Sequence, residues 1–377
     1  MRRPSSPPVQ SHQGDPTTVR LLGGVSLLMD LANRMVYPIS PLFLMAVLGA
    51  PPWIVGVIEG LAESSASLLK LYSGWLSDRL RRRKPMAIAG YGLGAISKLG
   101  MAASMGWGMF LGARLLDRLG KGLRAAPRDA LIVEAAPEGG RGKAFGLHHT
   151  LEAVGEVAGP ALGFLFLLGF PGRYRALFAL AMVPAVLSVL LLSRVREAKP
   201  PAEKRQRPRF RFQCLQPGYR RFLWAVGLFG LANSSDAFLL MRAQDLGFGP
   251  RQLFLLYMLF NGVELLLTYR LGRLSDLLGR RWLLGSGWIV FALVYGGFAI
   301  AQSPSHLVIL FAAYGLYQAL TRGIQKSWVA DLVNPSHRGA EIGTFYLVLG
   351  ITALPASLIA GWLYTTVSPA LPSSSVQ

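Results

Sequence analysis

Eleven ionisable side chains interrupt stretches that are otherwise apolar: Asp30, Arg34, Glu59, Glu63, Lys98, Arg114, Asp117, Arg118, Lys121, Glu152 and Glu156. Facing lipid, each would cost roughly 2.5–3.5 kcal/mol, and all together on the order of 30 kcal/mol, more than a typical domain's stability. With six acids against five bases, the set predicts an internal ion-pair network lining a water-filled cavity. Glu59 and Glu63 are four residues apart, as are Glu152 and Glu156, so each pair shares a helix face. Stacked carboxylates repel, which suits a group that exchanges a proton. The chemistry implied is ion pairing and proton exchange. No catalytic triad, nucleotide-binding loop or metal cluster stands out, so no enzyme activity and no cofactor are expected. His148 and His149 are adjacent and point to different faces of a helix, which argues against a shared metal. Lys70 and Arg124 lie near span ends, where long side chains snorkel. Arg114 and Asp117, three apart, suit a structural ion pair, and Lys98 a structural partner.

These charges must be held by membrane helices. Of 377 residues 52% are hydrophobic and 15% charged, and the charges cluster. A span needs about 20 apolar residues. Eleven are predicted, at 20–47, 52–73, 85–105, 107–127, 144–169, 174–193, 220–241, 252–271, 282–302, 306–329 and 341–366. The loops at 79–84, 124–143 and 270–281 are rich in Lys and Arg, whereas those near 48–51, 104–107 and 302–306 have none. The asymmetry predicts a cytoplasmic N-terminus. It also explains the net charge of +20 without nucleic acid. Residues 1–19 form a polar tail with no signal-peptide pattern. Residues 194–219 form a basic linker with eight Lys or Arg, suited to anionic lipid headgroups. Residues 367–377 are a polar tail. The single cysteine, Cys214, excludes an intrachain disulfide.

The two halves repeat one another. Gly74-Trp75-Leu76-Ser77-Asp78-Arg79 recurs 198 positions later as Gly272-Arg273-Leu274-Ser275-Asp276-Leu277, each copy followed by basic residues, among them Arg82 and Arg280. Leu31-Ala32-Asn33 recurs as Leu231-Ala232-Asn233, and Arg141-Gly142 as Arg338-Gly339. Such repetition predicts two pseudo-symmetric bundles, 20–193 and 220–366.

The Gly-x-Leu-Ser-Asp signature, in duplicate, resembles that of the major facilitator superfamily. The resemblance covers nearly the whole chain and implies an all-α membrane fold with a central cavity. It implies a conformational latch at Gly74, Asp78, Arg79, Arg82, Gly272, Asp276 and Arg280, although Arg81 stands where the pattern has Gly. The fifth span, with Gly146, Gly155, Gly159, Pro160 and Gly163, resembles the superfamily's antiporter motif, with Phe164 in place of a final Gly. The same stripe also suits plain close packing of helices. The run from Arg114 to Asp129, and Asn233 to Phe238, resemble a largely uncharacterised prokaryotic subgroup. Arg34 and Arg322 depart from it, standing where acids are expected. The resemblance also implies a sixth span in the second half, and none follows Tyr364.

Together these readings predict a proton-coupled exporter of small molecules, working as a monomer in the inner membrane. Asp30, Arg34, Glu59, Glu63, Arg114, Asp117, Arg118, Lys121, Glu152, Glu156 and Asp236 are its cavity and coupling residues. Import of an anionic metabolite is the alternative favoured by the arginines, and an inactive scaffold the other. In the second half Asp236 and Glu264 are the deep acids, Arg322 and Lys326 the bases, and Tyr257, Trp288, Tyr295, Tyr314 and Tyr317 divide between core packing and the cavity wall. The partners expected are a small-molecule substrate, protons and membrane lipids, with no nucleic acid.

Overall fold

The computed structural model describes residues 15–80, 82–137, 141–195, 197, 215–332 and 338–367, and among these the chain is helical throughout. Eleven helical passes result. The first is α1 (Pro16–Val36), continued by a 3-10 turn at Tyr37–Ile39, the short α2 (Ser40–Leu42) and a wide turn at Phe43–Val47. The next five are α3 (Pro52–Leu80), α4 (Arg83–Ala102), α5 (Trp107–Ala135), α6 (Arg141–Gly169) and α7 (Tyr174–Ser193). The seventh joins α8 (Pro217–Ala232) to α9 (Ala237–Asp245). The last four are α10 (Pro250–Leu278), α11 (Arg280–Ile300), α12 (Pro304–Leu332) and α13 (Arg338–Val367). Most of the basic linker, including Lys199, Lys204, Arg205, Arg207, Arg209 and Arg211, lies outside the described residues, as do Arg81, the N-terminal tail before Asp15 and the tail beyond Val367.

Seven passes are long and apolar enough to cross a membrane by composition alone: α6, α7, α8 with α9, and α10 to α13. The chain is a multi-pass membrane protein. The four that fall short, α1, α3, α4 and α5, carry most of the interior charges. Their polarity is compensated by contacts with one another, as shown below.

The first and seventh passes break at corresponding places, just after the repeated Leu-Ala-Asn. Pro38 and Pro41 remove backbone donors from the first, and Ser40 Oγ donates to the carbonyl of Val36 at 2.9 Å. In the seventh, Asn233–Asp236 leave the helix, and the amide of Ala237 donates to Ser235 Oγ at 3.3 Å. The two breaks meet, with Tyr37 Oη 3.4 Å from Ser235 Oγ.

Packing decides where the molecule is closed. α1 lies on α6 and α7, α4 on α5 and α7, and α3 on α5; in the second half α12 lies on α10 and α11, and α13 on α8. The halves meet where α3 runs along α13 and where α6 touches α10. At Gly56 an added Cβ would stand 2.4 Å from the carbonyl of Ser357, so the α3–α13 contact is a backbone-level approach. Away from the basic loops, one apolar core draws on both halves, from Met35, Phe43, Ile58, Phe110 and Phe178 to Phe238, Phe254, Phe260 and Phe311. At the basic-loop end there are two separate cores. One is built on Leu22, Val25, Tyr91 and Ile132, the other on Tyr219, Phe222, Ile324 and Phe345. The apolar packing between the halves is therefore continuous at one end and divided at the other.

Candidate transport cavity

α5 builds the floor of the charged region. Arg114, Asp117, Arg118 and Lys121 recur at helical spacing and form one stripe. Arg114 donates to both oxygens of Glu59 on α3 at 3.0 Å, and its guanidinium lies 3.8 Å from Asp117 and 5.3 Å from the ring centre of Tyr37. Lys98 on α4 donates to Asp117 at 2.8 Å and is fully buried. Two acids and two bases therefore close a neutral, buried chain across α3, α4 and α5. Removing one member would leave a charge without compensation. This is a frame, and it assigns Lys98 and Asp117 a structural role.

Nearer the basic loops the pairs loosen. Arg118 reaches the half-exposed Glu63 at 3.6 Å. Arg34 donates to Glu156 on α6 and to the hydroxyl of Tyr257 on α10, so it ties α1 to both halves. Lys70 stacks over Tyr346 of α13 at 5.2 Å. Glu59, Glu63, Glu152 and Glu156 each have their own basic partner. The partners come from other helices, so the stacking of like charges is not the governing contact. Asp30 and Lys121 are the exceptions, with neither a hydrogen bond nor an ion pair among the described residues. Asp30 lies within electrostatic reach of Glu152, Glu156, Lys121 and Arg34.

Sequence reasoning missed Arg128. The expectation for that residue is the basic loop at 124–143, beyond a span that ends at 127. α5 runs through Pro127 to Ala135, which carries Arg128 onto the cavity wall. There it donates to Asp129 and Glu152, each at 2.8 Å, and to Ser26 at 3.3 Å. The signal available was the neighbouring acid at 129, a mixed pair unlike an all-basic loop.

The second half is built differently. Asp236, at the break before α9, has no ion pair among the described residues and accepts a hydrogen bond from Tyr314 at 2.5 Å. Gln318 donates to the same tyrosine oxygen at 3.0 Å, and Ser234 Oγ lies 3.4 Å from Tyr295 Oη. Tyr257, Tyr314 and Tyr317 are buried, and Trp288 stacks on Phe229 at 5.0 Å, so most of this aromatic set packs as core. Glu264 pairs with Arg322 at 3.2 Å.

The glycines of α6 form a seam. A Cβ on Gly155 would stand 2.5 Å from the carbonyl of Leu27, on Gly159 2.7 Å from that of Leu31, and on Gly163 2.6 Å from that of Met35. They let α6 lie against α1 over two turns, with Pro160 in between. Gly146 meets nothing within 4 Å and takes no part. Of the signature loops, Gly74, Asp78 and Arg79 lie outside the described residues apart from their helical backbone, and Arg82 is exposed. In the second copy Arg280 pairs with Asp276 at 3.2 Å and with Asp331 of α12, while Gly272 has open space around it.

An all-helical membrane bundle with a charged interior fits a membrane transporter. The Major Facilitator Superfamily profile matches residues 22–271 and 225–372, and the chain belongs to that superfamily. It is 35% identical over 360 residues to an uncharacterized MFS-type transporter of Methanocaldococcus jannaschii, covering 93% of this chain and 89% of that one. It is 26% identical to the multidrug resistance protein MdtH of Edwardsiella ictaluri, covering 90% and 84% respectively. Among solved structures it is similar to a bacterial homologue of the human lysosomal transporter Spinster in an inward-facing and occupied conformation. The TM-score there is 0.74 at 16% identity, over 96% of this chain and 83% of that one. The nucleoside transporter NupG has the same fold, with a TM-score of 0.71 at 12% identity, over 92% and 90%.

Proposed function

We propose that this transporter exports small molecules in exchange for protons, by alternating access. Residues 20–193 and 220–366 act as its two moving bodies. Its basic-loop end lies in the cytoplasm of a cell whose inner membrane it spans, as the loop charges favour. The observation that carries the coupling is Asp30. Among the described residues, the other interior acids of the first five passes each have a basic partner, whereas Asp30 has none and lies in a field of two acids and two bases. A carboxyl so placed changes its protonation when a neighbouring helix moves. Such movement reaches Asp30 through Arg34, whose bond to Tyr257 breaks when α10 leaves α6. The likeness to multidrug resistance proteins and the glycine seam on α6 support the outward direction. Asp236 and its hydroxyl neighbours form the less charged wall that meets substrate.

The test is transport in inverted membrane vesicles containing the protein, with a panel of fluorescent drugs and an imposed pH gradient, acid inside. Accumulation that a protonophore abolishes is the expected result. Accumulation unaffected by the protonophore would overturn the coupling, and uptake seen only in right-side-out vesicles would overturn the direction.

A further inference from the structure

We propose that His148, His149 and Glu152 form a binding site for a divalent transition-metal ion of the cobalt-to-zinc group, on the cavity side of α6 near its basic-loop end. Adjacent histidines on a helix diverge at their Cβ atoms, yet here both rings turn toward the same carboxylate. Glu152 Oε2 is 2.9 Å from His149 Nδ1 and 3.5 Å from His148 Nδ1, and the three donor atoms lie within 4.8 Å of one another. His149 falls at i−3 and His148 at i−4 from Glu152, so one turn of helix presents all three.

His148 gives the second observation. Its side chain is fully buried, and Nδ1 has no hydrogen-bond partner. Its other nitrogen is engaged: Nε2 lies 2.9 Å from Ser26 Oγ. That serine also accepts from Arg128 at 3.3 Å and contacts Tyr91 Oη at 3.1 Å. When Nε2–H donates to Ser26, the serine hydroxyl donates to Tyr91, and the lone pair of Nδ1 is left aimed at Glu152. The opposite tautomer would turn an Nδ1–H toward Glu152 at 3.5 Å, a proton that a bound metal ion would displace. A ring held through one nitrogen with the other free is how proteins orient a metal-binding histidine.

Two imidazole nitrogens and one carboxylate oxygen, with positions left for water, suit a borderline cation. Access comes through His149, whose side chain is 64% exposed. Arg128 opposes a cation, but it sits on the other oxygen, Glu152 Oε1, and its charge is matched by Asp129. With neutral histidines, Arg128, Asp129 and Glu152 sum to one net negative charge. The site stands apart from the transport reading, and its test does not use transport.

The experiment is a cobalt titration of the full chain, purified in detergent through an affinity tag without histidines, read by visible absorption. One equivalent of Co2+ per chain, displaced by Zn2+, is the expected result. His149→Ala, which removes an exposed side chain, is expected to weaken binding about 10- to 100-fold. A wild-type protein without saturable absorption at millimolar cobalt would overturn the site, as would a folded His149→Ala protein that binds as tightly as wild type. Should that variant not fold, modification of His149 by diethylpyrocarbonate decides: slowing by zinc supports the site, and an unchanged rate overturns it.

Discussion

The two halves of the molecule hold their interior polar groups by different means. In the first, charge is balanced against charge: Glu59 with Arg114, Asp117 with Lys98, Glu156 with Arg34, Glu152 with Arg128. In the second, Glu264 pairs with Arg322, but Asp236 is held by the hydroxyl of Tyr314, which Gln318 supports in turn. An ion-pair frame is rigid while intact and costly to open, because each broken pair exposes two charges to an apolar medium. A hydroxyl that donates to a carboxylate can rotate away and let a substrate group take its place. Under the proposed function, coupling belongs to the first half and substrate contact to the second. At the meeting of the two broken passes, Tyr37 and Ser235 join them.

The comparison breaks most visibly at the buried frame. Arg114→Met leaves the buried Glu59 without its partner, while Asp117 keeps Lys98. A loss of about 3–5 kcal/mol is expected, seen as a collapse of the folded yield and of the melting temperature in detergent. Glu59→Gln together with Arg114→Met should recover part of that loss, because the charge left behind is removed. If Arg114→Met melts like wild type, the frame is not holding the first half together.

A smaller effect is expected at the seam that carries α6 along α1. Gly159→Leu must push Leu31 and Met35 aside and should cost about 1–3 kcal/mol. Gly146→Ala, with open space around it, should leave the melting temperature unchanged. Equal effects at the two sites would remove the distinction between packed and idle glycines. The smallest change belongs to the second half. Tyr314→Phe removes one hydrogen bond and should cost about 0.6 kcal/mol, as interhelical hydrogen bonds in membranes do on average. A loss as large as that of Arg114→Met would show the second half to be framed like the first.

Much of this architecture was legible beforehand. Eleven helical passes follow from runs of apolar residues, and an ion-pair network follows from the near equality of buried acids and bases. The pairing was not legible. Helical spacing relates Glu59 to Glu63 and Glu152 to Glu156 within one helix, but their partners Arg114, Arg118, Arg128 and Arg34 come from other helices, and tertiary packing decides those. The helical place of Arg128 was not legible either, because α5 runs on through Pro127, and a proline is tolerated in a membrane helix where neighbouring groups satisfy the freed carbonyl. The convergence of His148 and His149 on Glu152 was hidden for a related reason. Adjacent Cβ atoms diverge, yet long side chains converge when a carboxylate one turn away draws both. The break at Asn233–Asp236 contains no proline and had no local signal beyond its polar run.

The division of labour is tested most directly by setting Asp30→Asn beside Asp236→Asn in inverted vesicles, with proton flux and drug flux recorded together by internal pH and drug fluorescence. The account predicts that Asp30→Asn inserts and still equilibrates drug down its gradient, with no proton movement and no accumulation against the gradient. Asp236→Asn should keep its protons-per-drug ratio while needing more drug to reach half-maximal rate. Proton-driven accumulation by Asp30→Asn at the wild-type rate, or loss of coupling in Asp236→Asn alone, would contradict it.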